Sequence, residues 1–312
     1  MNRRDFLKAT TLATLSTLLE PQLAQAAPTA LPQRKLGHTS ERLSIIGMGG
    51  IDIMGASQTD ANDIVSEAID HGVNYFDVAP SYGDAEVLLG PALKPYRDKV
   101  FLACKTGKRD KMGVMAALHQ SLQHLQTDHF DLYQLHAMTT QQDVDQAFGT
   151  GGAMEAFAEA RKQGLVRYLG FSAHSVSAAL QCIERFHFDT ILFPTNWVCW
   201  FQGDFGPQVL KAARAKGMGI MAIKAMAHTL WPAGAPHTYP HCWYEPESDP
   251  QEAALALRFT LSQPITAAIP PGDVRLFRMA LLIAERFTPI TKEEIAALKA
   301  RSKGLQPIFR KA

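Results

Sequence analysis

Residues Asp60 to Asp77 read DANDIVSEAIDHGVNYFD, and within that stretch lie a helix, its stop and a strand. Ile64, Val65, Ala68 and Ile69 recur at the spacing that gathers apolar side chains on one helical face. Gly72 follows, and a glycine just past a helix ends it at low cost because it accepts the left-handed conformation. VNYF is then a short apolar run closed by an acid. The unit recurs as Met154 to Gln163, Gly164 and LVRYLGFS, and as Pro207 to Lys216, Gly217 and MGIMAI. Near-continuous apolar runs begin near Leu43, Asn74, Lys99, Phe130, Val166, Thr190, Met218 and Ile265. Runs without strict alternation predict strands buried on both faces, as in a parallel sheet covered by helices. Eight of them separated by helices predict an α/β fold, a (β/α)8 TIM barrel. The alternative, an open doubly wound sheet, carries G-x-G-x-x-G after its first strand. This chain has GMGG at Gly47 to Gly50 instead.

Residues 1–26, MNRRDFLKATTLATLSTLLEPQLAQA, place Arg3 and Arg4 before a weakly apolar run and end on Ala24-Gln25-Ala26. Arginine pair, apolar run and small-residue cleavage site in that order read as a twin-arginine (Tat) signal peptide. The run is too short to cross a bilayer, so no stable membrane insertion is expected. An amphipathic first helix or an uncleaved anchor are the alternatives. The reading makes the Tat export machinery a partner and the periplasm the destination, and it implies folding before export. Cleavage would leave residues 27–312 as a single domain with 28 basic and 28 acidic residues. A neutral chain has no field to attract nucleic acid. Cys104, Cys182, Cys199 and Cys242 show neither metal spacing nor a disulfide framework, so four free thiols are expected. Thr291-Lys292-Glu293-Glu294 is a capping box that opens one extra helix beyond the barrel.

In a barrel the loops after the strands build one functional face. Asp77, Lys105 and His136 end the second, third and fourth expected strands, and Tyr82 lies in the loop after the second. An isolated charge at a buried strand end is costly, and Asp77 and Lys105 on adjacent strands supply each other's partner. A tyrosine, with a pKa of about 10, becomes a usable proton donor when an ammonium beside it stabilises the phenolate. A histidine then holds a carbonyl oxygen in line. The set suits proton transfer to a developing alkoxide and has no evident nucleophile, so the hydride must come from a cofactor. Each residue also has a plainer reading: a structural ion pair, a turn after Pro80, a satisfied core histidine.

Asp77-x-Ala79-x-x-Tyr82-Gly83, Lys105 and His136 resemble the catalytic tetrad of the aldo-keto reductases. KLGHTSERLSIIGMGG, LQTDHFDLYQLH and GLVRYLGFS resemble the family as well, over about residues 33 to 285. The resemblance implies the barrel with an N-terminal β-hairpin, and a nicotinamide cofactor, NADP(H) with NAD(H) as the alternative. It implies an aldehyde or ketone substrate, or an alcohol in reverse, with Tyr82 as general acid, Lys105 and Asp77 as its tuning pair and His136 orienting the carbonyl.

Gly49 and Gly50 are assigned to the cofactor, and Ser172 carries over from the family's pattern after the fifth strand. Ser172 is followed by Ala173 where the family often has asparagine, and the glutamine expected near the sixth strand falls on Leu192 or Phe193, with Asn196 close by. Lys224 stands near the place of the aromatic that stacks on the nicotinamide. IPPGDVRLFRM, from Ile269, replaces the phosphate motif; Gly272 leaves room for a backbone approach, and Arg275 or Arg278 is placed on a 2′-phosphate. No iron-sulfur cluster is expected. His228, His237, His241 and Cys242 match no trusted zinc spacing, so no metal is assigned, and the loop histidines are expected to rim the substrate pocket. Trp231, Trp243 and Tyr244 are candidates for an apolar wall, or for packing against the barrel rim; His136 to Gly152 and Ala225 to Pro250 are read as long loops. Two further readings are a cofactor-degenerate barrel that binds a ligand or partner without turnover, and a metal-dependent hydrolase. The latter predicts clustered His and Asp at strand ends.

Overall fold

In a computed structural model of the protein, which describes residues 30–311, a hairpin of β1 (Gln33–Lys35) and β2 (Arg42–Ser44) precedes the repeating units. The expected leader over residues 1–26 lies outside the described residues. The chain then runs β3 (Met48–Gly49), α1 (Gln58–Asp70), β4 (Tyr75–Asp77), α2 (Ala85–Leu93), β5 (Phe101–Thr106), α3 (Lys111–His124), β6 (Phe130–Met138), α4 (Gln141–Phe148) and α5 (Ala153–Lys162). It continues with β7 (Val166–Ala173), α6 (Val176–Arg185), β8 (Thr190–Pro194), α7 (Trp197–Gln202), α8 (Pro207–Ala215) and β9 (Gly219–Ile223). A two-stranded flap, β10 (Ala227–Leu230) and β11 (Tyr244–Pro246), leads to α9 (Pro250–Leu261), β12 (Ala267–Ile269), α10 (Val274–Glu285) and α11 (Lys292–Arg301).

β3 to β9 pair in sequence order as parallel neighbours, and β12 joins β9. The sheet closes because Ile46, just ahead of β3, bridges Ala268 of β12 in the parallel sense; Ala268 N donates to Ile45 O at 2.9 Å and Gly47 N to Ala268 O at 2.9 Å. The fold is the (β/α)8 barrel read from the apolar runs. The helix stops are where the glycines put them: Gly72, Gly164 and Gly217 have φ of 85°, 76° and 69°.

Leu36 and Leu43 of the hairpin pack inside the barrel against Tyr75, Phe101, Ala103, Leu132, Leu192 and Met221, so the hairpin plugs the amino-terminal end. The apolar run beginning near Leu43 is therefore split, with its first residues in β2 and the barrel strand starting at Met48. Gly37 lets the hairpin turn touch β9: a Cβ there would lie 2.2 Å from Gly219 N, at a φ of 53°.

Two stretches expected as loops contain structure. Within His136 to Gly152 lies α4, opened by a capping box in which Thr140 Oγ1 accepts from Asp143 N at 3.0 Å and Asp143 Oδ2 accepts from Thr140 N at 2.9 Å. Within Ala225 to Pro250 lies the β10–β11 flap, whose partners are fourteen or more residues apart and leave no local signature. The capping box at Thr291 opens α11 as expected.

Candidate active site

β4 alternates so that Tyr75 and Asp77 project to the same side, into the barrel. Both are almost fully buried, and Asp77 survives there because both of its oxygens accept hydrogen bonds and one faces a cation. Its Oδ1 accepts from the Lys105 ammonium; its Oδ2 accepts from Tyr75 Oη at 3.2 Å and Gln134 Nε2 at 3.0 Å. Lys105 Nζ also donates to Tyr82 Oη at 3.2 Å and to Val78 O at 3.4 Å. The Tyr82 ring stands edge to face on His136, with centroids 5.8 Å apart. Asp77, Tyr82, Lys105 and His136 thus line one cavity of about 250 Å³ at the carboxyl end of the barrel.

Burial opposes the Lys105 charge, but Asp77 and Tyr82 outweigh it and hold its pKa above the ordinary lysine value. For Tyr82 the balance differs from the sequence expectation. Burial pushes the phenol up; Lys105 pulls it down, Asp77 pushes it up again, and the net shift is upward. Burial is the largest of these influences and outweighs the pull of the Lys105 ammonium. Tyr82 is therefore a protonated phenol at neutral pH, hydrogen-bonded to a permanent cation.

His136 sits beside a β-bulge: the pairing of β6 with β7 shifts between Leu135 and Met138, and Ala137 has a φ of 55°. The bulge is held from both sides. Arg109 Nη2 donates to His136 O at 2.7 Å, and Ala137 N donates to Ser172 Oγ at 2.8 Å. Burial first, then Lys105, His174, Arg109 and Lys224, push the His136 pKa down to about 3. Burial, Lys224 and Lys105 likewise push His174 down to about 4.

These two shifts have a consequence for stability. Both imidazoles are neutral in the folded protein and titrate near 6.5 when unfolded, so the unfolded chain takes up protons first as pH falls. Their contribution is present above pH 6.5 and lost as pH drops toward 4. By linkage we expect a loss of roughly 2 kcal/mol per histidine between pH 7.5 and 5. Urea unfolding at the two pH values, compared between wild type and His136→Asn/His174→Asn, measures it; equal losses in both proteins would refute it.

The residues assigned to the cofactor divide. Gly49, Ser172, Lys224 and Gly272 line the same cavity as the tetrad. Gly50 and Asn196 do not. A Cβ on Gly50 would lie 2.7 Å from Val78 Cγ2, so that glycine serves close packing. Asn196 is buried and its Oδ1 accepts from Cys199 N at 2.9 Å, capping α7. Gly272 borders the cavity, yet the space a Cβ would fill is occupied by Ile51, at 2.3 Å, rather than left open for a phosphate. Arg275 and Arg278 lie on the rim of a separate surface groove between α9 and α10. Arg275 is bound to Asp273 and to Thr238 O at 3.0 Å, and Arg278 is paired with Glu67 at 2.7 Å.

The flap supplies walls that local reading left open. Trp243, Tyr244 and His241 line the cavity. Trp231 packs instead, its Nε1 donating to Cys242 O at 2.7 Å, and His237 and His228 stack on Trp231 and Trp197. Among the described residues no group of three or more His, Cys, Asp or Glu side chains converges. Tyr75 and Gln134 are the members that the sequence reading missed. Each lies two residues before a tetrad member, so strand alternation points it to the same side.

A closed barrel thus brings an Asp-Lys-Tyr constellation and a neutral histidine together at its carboxyl mouth. A model of the Aldo/keto reductase family matches residues 45–263, and the chain belongs to that family. It is 26% identical over 302 residues to an oxidoreductase, YqkF, of Bacillus subtilis (strain 168), spanning 87% of this chain and 96% of that protein. Aldo-keto reductase YhdN of the same organism is 29% identical over 143 residues, 41% of each chain. Among solved structures, the holo form of aldo-keto reductase AKR11C1 from Bacillus halodurans superposes with a TM-score of 0.70 at 23% identity, covering 89% of this chain and 98% of that one. That likeness is one of fold.

Proposed function

We propose that the protein transfers hydride between a nicotinamide cofactor, NADP(H) or NAD(H), and an aldehyde, ketone or the corresponding alcohol, with Tyr82 as the general acid or base. The observation that carries the proposal is the Lys105 ammonium, bonded at once to Asp77 and to Tyr82 Oη in a cavity that His136 also lines. Membership in the Aldo/keto reductase family, whose members generally use these cofactors, supports the class of reaction. It also favours turnover over a barrel that only binds.

Gly49 and Ser172 border the cavity and would hold the nicotinamide end. When bound, the cofactor supplies the hydride. The chain's own part is to place a carbonyl oxygen between two donors, the Tyr82 hydroxyl and an N–H of neutral His136. As negative charge develops on that oxygen, Tyr82 releases its proton to it, and the Lys105 ammonium, 3.2 Å from Oη, stabilises the phenolate left behind. Asp77 keeps Lys105 charged inside the barrel. Alcohol oxidation reverses each step.

The order of arginine pair, apolar run and cleavage site in residues 1–26 supports export through the Tat pathway to the periplasm, with the cofactor bound before export. Two measurements test the proposal. Fluorescence titration with NADPH and NADH should show saturable binding, and replacing Arg3 and Arg4 with Lys should hold the protein in the cytoplasmic fraction. Absence of any nicotinamide binding by the purified protein would overturn the reaction class.

A further inference from the structure

We infer that the catalytic cavity contains an anion subsite formed by Lys224 and His174, so that the carbonyl or alcohol compound it turns over carries a carboxylate or a phosphate. Turnover of that compound rests on the oxidoreductase reading above; the subsite itself does not.

Lys224 follows β9 with a φ of 65°, a backbone conformation that L residues seldom adopt, so its place is imposed by the surroundings. Its side chain lines the cavity between Tyr244 and Trp243, with Nζ 4.8 and 5.5 Å from the two ring centroids. Among the described residues its ammonium forms neither an ion pair nor a hydrogen bond, while its backbone carbonyl accepts from Ala227 N at 3.0 Å. Lys224 is half-buried, and a cation partly withdrawn from water with no anionic partner carries a cost that ring faces repay only in part. Burial, opposed by Cys242 and assisted by Lys105, brings its pKa down to about 8, so the ammonium still predominates at neutral pH.

His174 lies on the same cavity, and its Nε2 is buried without a partner. Its ring is held by stacking on Phe309 at 5.3 Å. With the proton on Nε2, the neutral ring offers an N–H that nothing in the chain accepts. Asp77 is the one acid among the residues lining the cavity, and both of its oxygens are already committed to Lys105, Tyr75 and Gln134. The cavity therefore presents an unpaired ammonium and an unused donor, close enough to His136 that both depress its protonation. Carboxylate or phosphate oxygens satisfy both groups. A cavity of about 250 Å³ with Trp243 and Tyr244 as walls limits the rest of the molecule to something small, with an apolar or aromatic body.

A phosphate of the cofactor has the same chemistry as a substrate anion, and the test separates them. The full chain as purified is titrated calorimetrically with 4-formylbenzoate, with its methyl ester, and with NADPH, using wild type, Lys224→Met and Lys224→Arg. We expect wild type to bind the acid roughly 30-fold more tightly than the ester, a gap that closes in Lys224→Met and largely reopens in Lys224→Arg. NADPH affinity should not follow that pattern. Equal binding of acid and ester by wild type, which requires no variant to fold, would overturn the subsite. A Lys224→Met protein that loses NADPH affinity while retaining the acid would overturn it too, assigning the cation to the cofactor. Failure of every carbonyl compound to turn over, with the acid preference intact, would refute the oxidoreductase reading and leave the subsite standing.

Discussion

Replacing Tyr82 with Phe should lower kcat for carbonyl reduction by about 10³-fold, within the range that a positioned general acid contributes. The substitution is close to a pure test of the hydroxyl. The ring and its edge-to-face contact with His136 are retained, and Lys105 loses one of its hydrogen-bond acceptors while keeping Asp77 and Val78 O. Stability should therefore change by less than about 1 kcal/mol, since one exchanged hydrogen bond is worth that order. NADPH affinity, read by fluorescence, reports whether the cavity is otherwise intact. Single-turnover rates separate the chemical step from product release. A variant with more than a tenth of wild-type kcat would remove Tyr82 from the proton-transfer role.

The Asp77→Asn variant should be the most destabilised of the cavity mutants, by about 3–5 kcal/mol, because it leaves a buried ammonium without its counter-charge. Asparagine retains an oxygen for Tyr75 and Gln134, so the loss isolates the charge pair from the neutral hydrogen bonds around it. With Asp77 gone, burial is the largest influence left on Lys105 and pushes it toward the neutral amine. Tyr82 then loses its cationic neighbour, and activity should fall together with stability. Adding Lys105→Met removes the orphaned amine and should restore part of the stability but none of the activity. In wild type the contribution of the Lys105 charge is fully present from neutral pH up to the ordinary lysine value of 10.5 and is lost as pH rises beyond it, since the folded pKa is raised. Urea unfolding of the three proteins decides the matter, and a cost under about 1 kcal/mol for Asp77→Asn would show that the pair is not the element that holds the site.

Much of this molecule is legible without coordinates, for a local reason. A helix stop at Gly72 depends on the backbone freedom of one residue, and a buried strand on a run of a few apolar ones. Asp77, Lys105 and His136 at three successive strand ends become one site as soon as the strands are read as parallel. Even the missed α4 was written locally, in Thr140 and Asp143. Tyr75 and Gln134 were present in the alternation of β4 and β6.

What the amino-acid sequence determined by itself, then, is the barrel, its hairpin, its last helix and the tetrad, all of them set by spacings of a few residues. The tertiary structure alone decided which side chains share a cavity. Asn196 caps α7, Gly50 and Gly272 yield their space to Val78 and Ile51, and Arg275 and Arg278 are engaged elsewhere, because partners from distant segments reach those positions first. It also decided the sign of the Tyr82 shift and left Lys224 and His174 without partners. Burial and counter-charge depend on which chain segments meet, and no spacing within one segment records that.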